Sequence, residues 1–152
     1  MNDLEYLKMA VEQAKESVEQ GGFPAGAILV KNNEIIAKGV SLGFILNDPT
    51  SHAESVSIRE ACGSLKTTNL EEVTLYDSMQ PCLMCFSSAV WAGITRIVFG
   101  CHKTEDMVKK GYYEGNTDIY EINKNNNRQI QIDYLPDFEE EIINLVKSWE
   151  NK

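Results

Sequence analysis

Two short motifs constrain this chain more than anything else in it: His52-Ala53-Glu54, and Pro81-Cys82-Leu83-Met84-Cys85 roughly thirty residues further on. One imidazole and two thiols form a borderline-soft donor set that suits zinc. A catalytic zinc takes three protein ligands and keeps its fourth position for water, whereas a structural zinc takes four. His52, Cys82 and Cys85 supply three, and Glu54 stands beside them as a free carboxylate. Two thiolates cancel the formal charge of the ion, so a hydroxide held there is basic and needs a proton-handling partner. Glu54 is that partner.

The flanking sequence puts both motifs at helix starts. Leu4, Leu7, Val11, Ala14 and Val18 recur at helical spacing after Asn2 or Asp3, and Gly21-Gly22 ends that helix. Residues 25–30 and 35–40 are apolar runs joined across Asn32-Asn33, which tolerate the positive φ of a tight hairpin. Residues 41–51 read as a loop in which Asp48, Thr50 or Ser51 can cap the next helix, which runs to about Ala61 with Gly63 beyond. Mid-helix, residues two apart face nearly opposite ways. His52 and Glu54 share a site only if His52 lies at or before the first turn.

Residues 73–76 read as a short strand with Asp77 to Gln80 as its exit loop, and Pro81 suits the opening of a helix. Cys82 and Cys85, three apart, share one face of that helix. Helix N-termini are electropositive and favour thiolate and hydroxide, a physical reason for the placement. Further on come a strand at 96–99, a short helix at 104–110, a polar irregular stretch at 111–127 and a strand at 130–134. Pro136 then precedes a last helix with Phe138, Ile142, Leu145, Val146 and Trp149 on one face. This order predicts an α/β fold, a mixed sheet between helical layers. A chain of 152 residues suits one domain, 1–152, with a real core.

An H-x-E followed by P-C-x-x-C is the signature of zinc deaminases, and the chain resembles the cytidine deaminase superfamily. Asn47-Asp48-Pro49-Thr50-Ser51-His52-Ala53-Glu54 and Pro81-Cys82-Leu83-Met84-Cys85 are similar to the motifs of its guanine, cytosine and tRNA adenosine deaminase branch. The resemblance implies a three-layer α/β/α sandwich with a mixed five-stranded sheet, one Zn2+ on His52, Cys82 and Cys85, and Glu54 as the catalytic acid and base. It implies that the Ala53 backbone reads the base edge, and that Trp91 helps form the base pocket across a subunit contact. Lys110-Gly111-Tyr112-Tyr113-Glu114 resembles a guanine deaminase segment whose acid accepts from the amino edge of a purine. The C-terminal helix resembles a tail that can exchange between subunits. Two positions depart from the branch. Ser41 stands where a ring-binding asparagine is usual, and Gln80 where glutamate usually precedes the Pro-Cys pair. Both bear on substrate and neither on the metal.

Each residue also has a plainer reading. Trp91 is equally a core or dimer-interface aromatic, and Glu114 a solvated loop charge. Phe23, Tyr112 and Tyr113 offer stacking faces but are also ordinary core residues. Cys101-His102 ends a strand, and Cys62, a helix length from His52, is a small buried hydrophobe. Neither fits as a fourth metal ligand.

Charge bears on the substrate. There are 14 Lys+Arg against 23 Asp+Glu, a net charge of −9. Nucleic-acid binders draw most of their affinity from phosphate contacts on a basic face, so the balance favours a small neutral substrate, although Lys103, Lys109 and Lys110 could form a local basic patch. No apolar run is long enough to span a bilayer, and the acidic, periodic N-terminus is unlike a signal peptide. A cytoplasmic protein with thiols rather than disulfides is expected. The resulting expectation is a zinc-dependent deaminase of a free nucleobase or related amino-heterocycle, purine-type such as guanine, acting as a homodimer. The alternatives are a tRNA-specific adenosine deaminase, a cytosine or nucleoside deaminase, or a silent zinc-binding module. The intact Glu54 argues against the last.

Overall fold

Strand β1 (Gly26–Lys31) is buried along nearly its whole length, so it needs a layer on each side. In the computed structural model, which describes residues 1–152, it has them. Ala27 and Leu29 point into a core shared with Ala53 and Ala61 of one helix and Phe86 and Ala89 of another. Ile28 and Val30 point the other way, onto Tyr6, Leu7 and Ala10. The two-residue alternation of a strand thus divides one apolar run between two cores. Fully buried members such as Leu75, Phe86 and Ile97 each contribute about 1.5–3 kcal/mol by leaving water.

The elements follow as α1 (Asp3–Glu19), β1, β2 (Glu34–Val40), α2 (Gly43–Leu46), α3 (Ala53–Leu65), β3 (Val73–Asp77) and α4 (Leu83–Trp91). Then come β4 (Arg96–Phe99), α5 (Glu105–Lys109), α6 (Ile119–Asn125), β5 (Gln131–Tyr134) and, after one 3-10 turn, α7 (Glu139–Glu150). The sheet has five strands in the order β2-β1-β3-β4-β5. β1 is antiparallel to both β2 and β3, and β3, β4 and β5 are mutually parallel. β2 therefore runs the same way as β3, β4 and β5. α3, which follows β2 and the single turn of α2, and α4, which follows β3, therefore start at the same end of the strands.

Two glycines let the helices sit close. A Cβ on Gly26 would lie 2.2 Å from Ala14 N, and one on Gly39 would lie 2.0 Å from Ala53 O. α1 rests on β1 through the first, and the opening turn of α3 rests on β2 through the second.

The mixed five-stranded sheet between helical layers is the architecture expected, and the Asn32-Asn33 hairpin turns with φ of 51° and 61°. Several local expectations are corrected. Residues 41–51 are not all loop, because α2 makes one turn and stops at Asn47, whose φ is 53°. Asp48, Thr50 and Ser51 do not cap α3. Asp48 instead accepts hydrogen bonds from Thr50 N (2.9 Å), Thr50 Oγ1 (2.7 Å) and Ser51 Oγ (2.6 Å), which holds the loop, and His52 is the residue at the cap. α3 runs past Gly63 to Leu65 and ends on Lys66 at φ 53°. Residues 111–127 contain α6, capped by Asp118, which accepts from Tyr120 N at 2.9 Å. The buried stripe of α1 uses Tyr6 and Ala10, and Leu4 is left 39% exposed.

Candidate active site

The chain brings its two motifs together through two helix caps. His52 precedes α3 with extended dihedrals (φ −77°, ψ 166°), and Cys82 precedes α4 in the same way (φ −70°, ψ 170°). Extended backbone at a cap frees a side chain from helical direction. His52 and Glu54 can therefore face one site although they are two residues apart. Pro81 stands just before the Cys82 cap rather than inside the helix, and Cys85 lies one turn in.

His52 Nδ1 is 3.5 Å from the sulfurs of both Cys82 and Cys85. The three donor atoms lie within 4.8 Å of one another, and no other group of three His, Cys, Asp or Glu side chains gathers in this way. Three mutually facing donors of borderline softness, with no fourth, fit a zinc ion that keeps an open position. Without metal, hydrogen bonds first from Cys85 and then from His52 draw the Cys82 thiol down to about 7 against the effect of burial. The shared proton and burial push Cys85 well up. The bond to Cys82 raises His52.

Glu54 is buried on the first turn of α3 and opens onto a cavity of about 720 Å³, within the range of small-molecule sites. Ser41, Asn47, Ala53 and Asp77 line the same cavity. Ser17 of α1 fixes two parts of the rim at once: its Oγ donates to Phe23 O at 2.6 Å and accepts from Ser41 N at 3.1 Å.

An aromatic wall closes one side. Phe23, Tyr112 and Trp149 stand edge to face, with centroids 5.1 Å apart from Phe23 to each of the others and 5.9 Å from Tyr112 to Trp149. The Tyr112 hydroxyl and Lys110 Nζ both donate to Glu150, at 2.6 and 2.9 Å. The end of α7 is thereby held over the cavity.

Other expected site residues lie elsewhere. Glu114 does not line the cavity and is not a free loop charge. Its carboxylate accepts from Leu83 N (3.2 Å) and Met84 N (3.0 Å) and so caps α4 beside the cysteines. Burial opposes its ionisation, but backbone N–H groups, including that of Met84, overcome burial and hold it low. Trp91 is neither in the core nor in the cavity. At the end of α4 it is 88% exposed. Tyr113 is buried and donates to Gln80 O at 2.8 Å, while Gln80 Oε1 accepts from Lys103 N at 3.0 Å. Cys101 is buried in the same core cluster as Cys82 and Cys85 but is not one of the three donors that gather, and His102 packs on Tyr134 at 3.8 Å. Trp149 and Asp77 also line the cavity, and their sequence setting does not mark either as a site residue. The charge of Asp77 after an apolar strand was the one signal available.

Comparison with known proteins agrees with this geometry. Residues 1–101 match the model of the cytidine and deoxycytidylate deaminase zinc-binding region, and the chain belongs to that family. It is similar to the tRNA-specific adenosine deaminase of Aquifex aeolicus (strain VF5), 44% identical over 94 residues, which is 62% of each chain. It is also similar to the guanine deaminase of Bacillus subtilis (strain 168), 41% identical over 113 residues, covering 74% of this chain and 72% of that one. A solved structure of a tRNA:A34 deaminase, described in connection with A-to-I editing at the wobble position, superposes with a TM-score of 0.80. It is 27% identical, and 93% of this chain and 99% of that one are covered. The matches to two tRNA deaminases of this group span only 62% and 61% of those relatives' length. No helix is long and apolar enough to cross a membrane.

Proposed function

We propose that this chain is a hydrolytic deaminase of a free amino-purine or closely related amino-heterocycle. The observation that carries the reading is the cavity itself, about 720 Å³, with Glu54 facing into it from beside the metal donors and an aromatic wall on one side. Zinc held by His52, Cys82 and Cys85 would supply an acidified water in a fixed place. Glu54 takes one proton of the attacking water and passes it to the ring nitrogen, then takes the second from the hydroxyl now on carbon and delivers it to the leaving amine. Water and a C–NH2 group become C=O and ammonia. One carboxylate serving three atoms explains why Glu54 stands free of the ligand set. The Ala53 N–H, first in α3, has no intrahelical acceptor and is free for the base edge. Phe23, Tyr112 and Trp149 supply stacking surface. Glu114, as a cap, holds the start of α4 and with it the two cysteines.

The rival is a tRNA adenosine deaminase, favoured by the Aquifex relative. Against it stand the net charge of −9 and the tail helix tied across the cavity by Glu150. An assay of ammonia release over free bases, nucleosides and tRNA decides between them. Turnover of a free amino-purine is expected. Inosine formation in a tRNA anticodon loop with no activity on any free base would replace this reading with the rival. Ser41, shorter than the asparagine usual in the family, leaves a gap toward the ring. Ser41→Asn should raise kcat/KM on guanine about tenfold, roughly one hydrogen bond.

Trp91 can take part in a base pocket only from a second copy, and its exposure on α4 fits a face that another subunit covers. Sedimentation should show a dimer at micromolar concentration, and Trp91→Arg should shift it toward monomer. Wild-type protein that sediments only as monomer would remove the shared-pocket role.

A further inference from the structure

β3 runs through Asp77, so the loop from the sheet toward the cysteines is residues 78–80 rather than 77–80, and Gln80 stands near its end. Glutamine is mostly a surface residue, yet Gln80 is only 8% exposed. Its backbone is tied on both sides. The Gln80 N–H donates to Cys101 O at 2.7 Å, and Gln80 O accepts from the Tyr113 hydroxyl at 2.8 Å.

The side chain is tied on one side only. Oε1 accepts from Lys103 N at 3.0 Å. A backbone N–H can only donate, so the amide atom that meets it must be the oxygen, which fixes the orientation of the whole group. Nε2 takes the other arm of the amide, and no protein group accepts from its two N–H bonds. It is not sealed in, because the buried side-chain atoms left without a partner all belong to Asp77. Gln80 lines the cavity together with Glu54, Met79, Cys82 and Tyr113, so its remaining surface opens there. A donor held on a rigid mount at the wall of a cavity can discriminate between ligands. A ring that displaces water from it must bring an acceptor or leave a polar group unpaired.

We propose that Gln80 is a specificity-determining residue whose Nε2–H donates to an acceptor on the substrate ring, either a carbonyl oxygen or an unprotonated ring nitrogen. A ring that turns an amino group to this position sets donor against donor and is disfavoured. The substrate class narrows from amino-purines in general to amino-heterocycles that present an oxo group or a bare ring nitrogen on the edge facing Gln80. This inference deepens the reading of the cavity as a base site and rests on it.

Two ligands without an exocyclic amine test this on the zinc-loaded protein without turnover: hypoxanthine, which carries an oxo group, and purine, which does not. Gln80→Glu keeps an acceptor for Lys103 N and replaces the amide donor at nearly the same size. Calorimetry should show hypoxanthine bound to Gln80→Glu roughly 10- to 100-fold more weakly than to wild type, the loss of one hydrogen bond to a buried donor. In the ¹⁵N-correlated spectrum of wild type, saturating hypoxanthine should move the side-chain amide protons of Gln80 downfield. The same shift with purine assigns the acceptor as a ring nitrogen, and a shift with hypoxanthine alone assigns it as the oxo oxygen. The spectrum uses wild type, so it decides the matter if Gln80→Glu does not fold. Hypoxanthine that binds and leaves the Gln80 amide unmoved, or that binds Gln80→Glu as tightly as wild type, overturns the proposal and leaves the base-site reading standing. Wild type that binds neither ligand overturns both.

Discussion

Glu54→Ala is expected to retain about one zinc per chain and to lose turnover by a factor on the order of 10⁴. The two halves of this result come from different parts of the structure. The metal donors are His52, Cys82 and Cys85, whose atoms meet within 4.8 Å without help from Glu54. Removing the carboxylate therefore leaves the metal site intact. Turnover is expected to depend on it, because no other side chain lining the cavity combines a proton acceptor with a place on the same helix turn as a metal donor. Asp77 also lines the cavity, but it comes from the end of β3 and is only 1% exposed. Elemental analysis and steady-state rates on the same preparation check both halves. A variant that keeps zinc and a tenth or more of wild-type kcat would remove Glu54 from the mechanism.

How much of this could be read from the chain depends on where the information lay. The motifs were legible because a His, two Cys and a Glu at fixed spacing are rare in combination. The chemistry needs nothing from the rest of the fold to be recognised. β3 and β4 were legible because runs such as residues 73–76 are apolar and short, and Asn32-Asn33 announced its own turn. α6 was hidden because Ile119 and Ile122 are its only residues in the core, set in an otherwise polar sequence. The cap of α3 is hidden for a different reason. Asp48, Thr50 and Ser51 are better capping residues than histidine, but they are spent on one another, and a metal donor occupies the cap instead.

Tertiary placement hid the remainder. Glu114 and Met84 are far apart in sequence and meet only because the segment after α5 folds back over the start of α4. Trp149 reads as part of the α7 packing face. Its ring reaches the cavity only because Glu150 is held by Tyr112 and Lys110. Asp77 was visible as a charge but not as a buried one, since strand alternation shows which face a residue takes only once the ends of the strand are known.

Cys82→Ala and Cys85→Ala are expected to abolish stoichiometric zinc and with it the stability the metal supplies. Ligand bound only to the native state at 100 times its Kd stabilises by about 2.7 kcal/mol. In a chain of this size that corresponds to a fall in Tm of roughly 5–10 °C when zinc is removed. Chelation should lower the wild type by that amount and leave both variants unmoved, so calorimetry with and without chelator separates lost metal from lost packing. The two need not be equal. Cys85 is fully buried among Val11, Met79 and Met107, and its truncation adds a cavity cost, whereas Cys82 at 7% exposure sits at the helix cap. Loading should also weaken as pH falls. Zinc binds thiolates, so it must displace protons from Cys82, which titrates at about 7, and from Cys85, which is held well above its ordinary value. Each proton displaced opposes metal binding more strongly in acid, and zinc titrations at pH 6 and pH 8 should show the weaker affinity at pH 6. Equal affinity at both, or a Cys82→Ala protein that still melts higher with zinc, would mean that the ion is held by other groups.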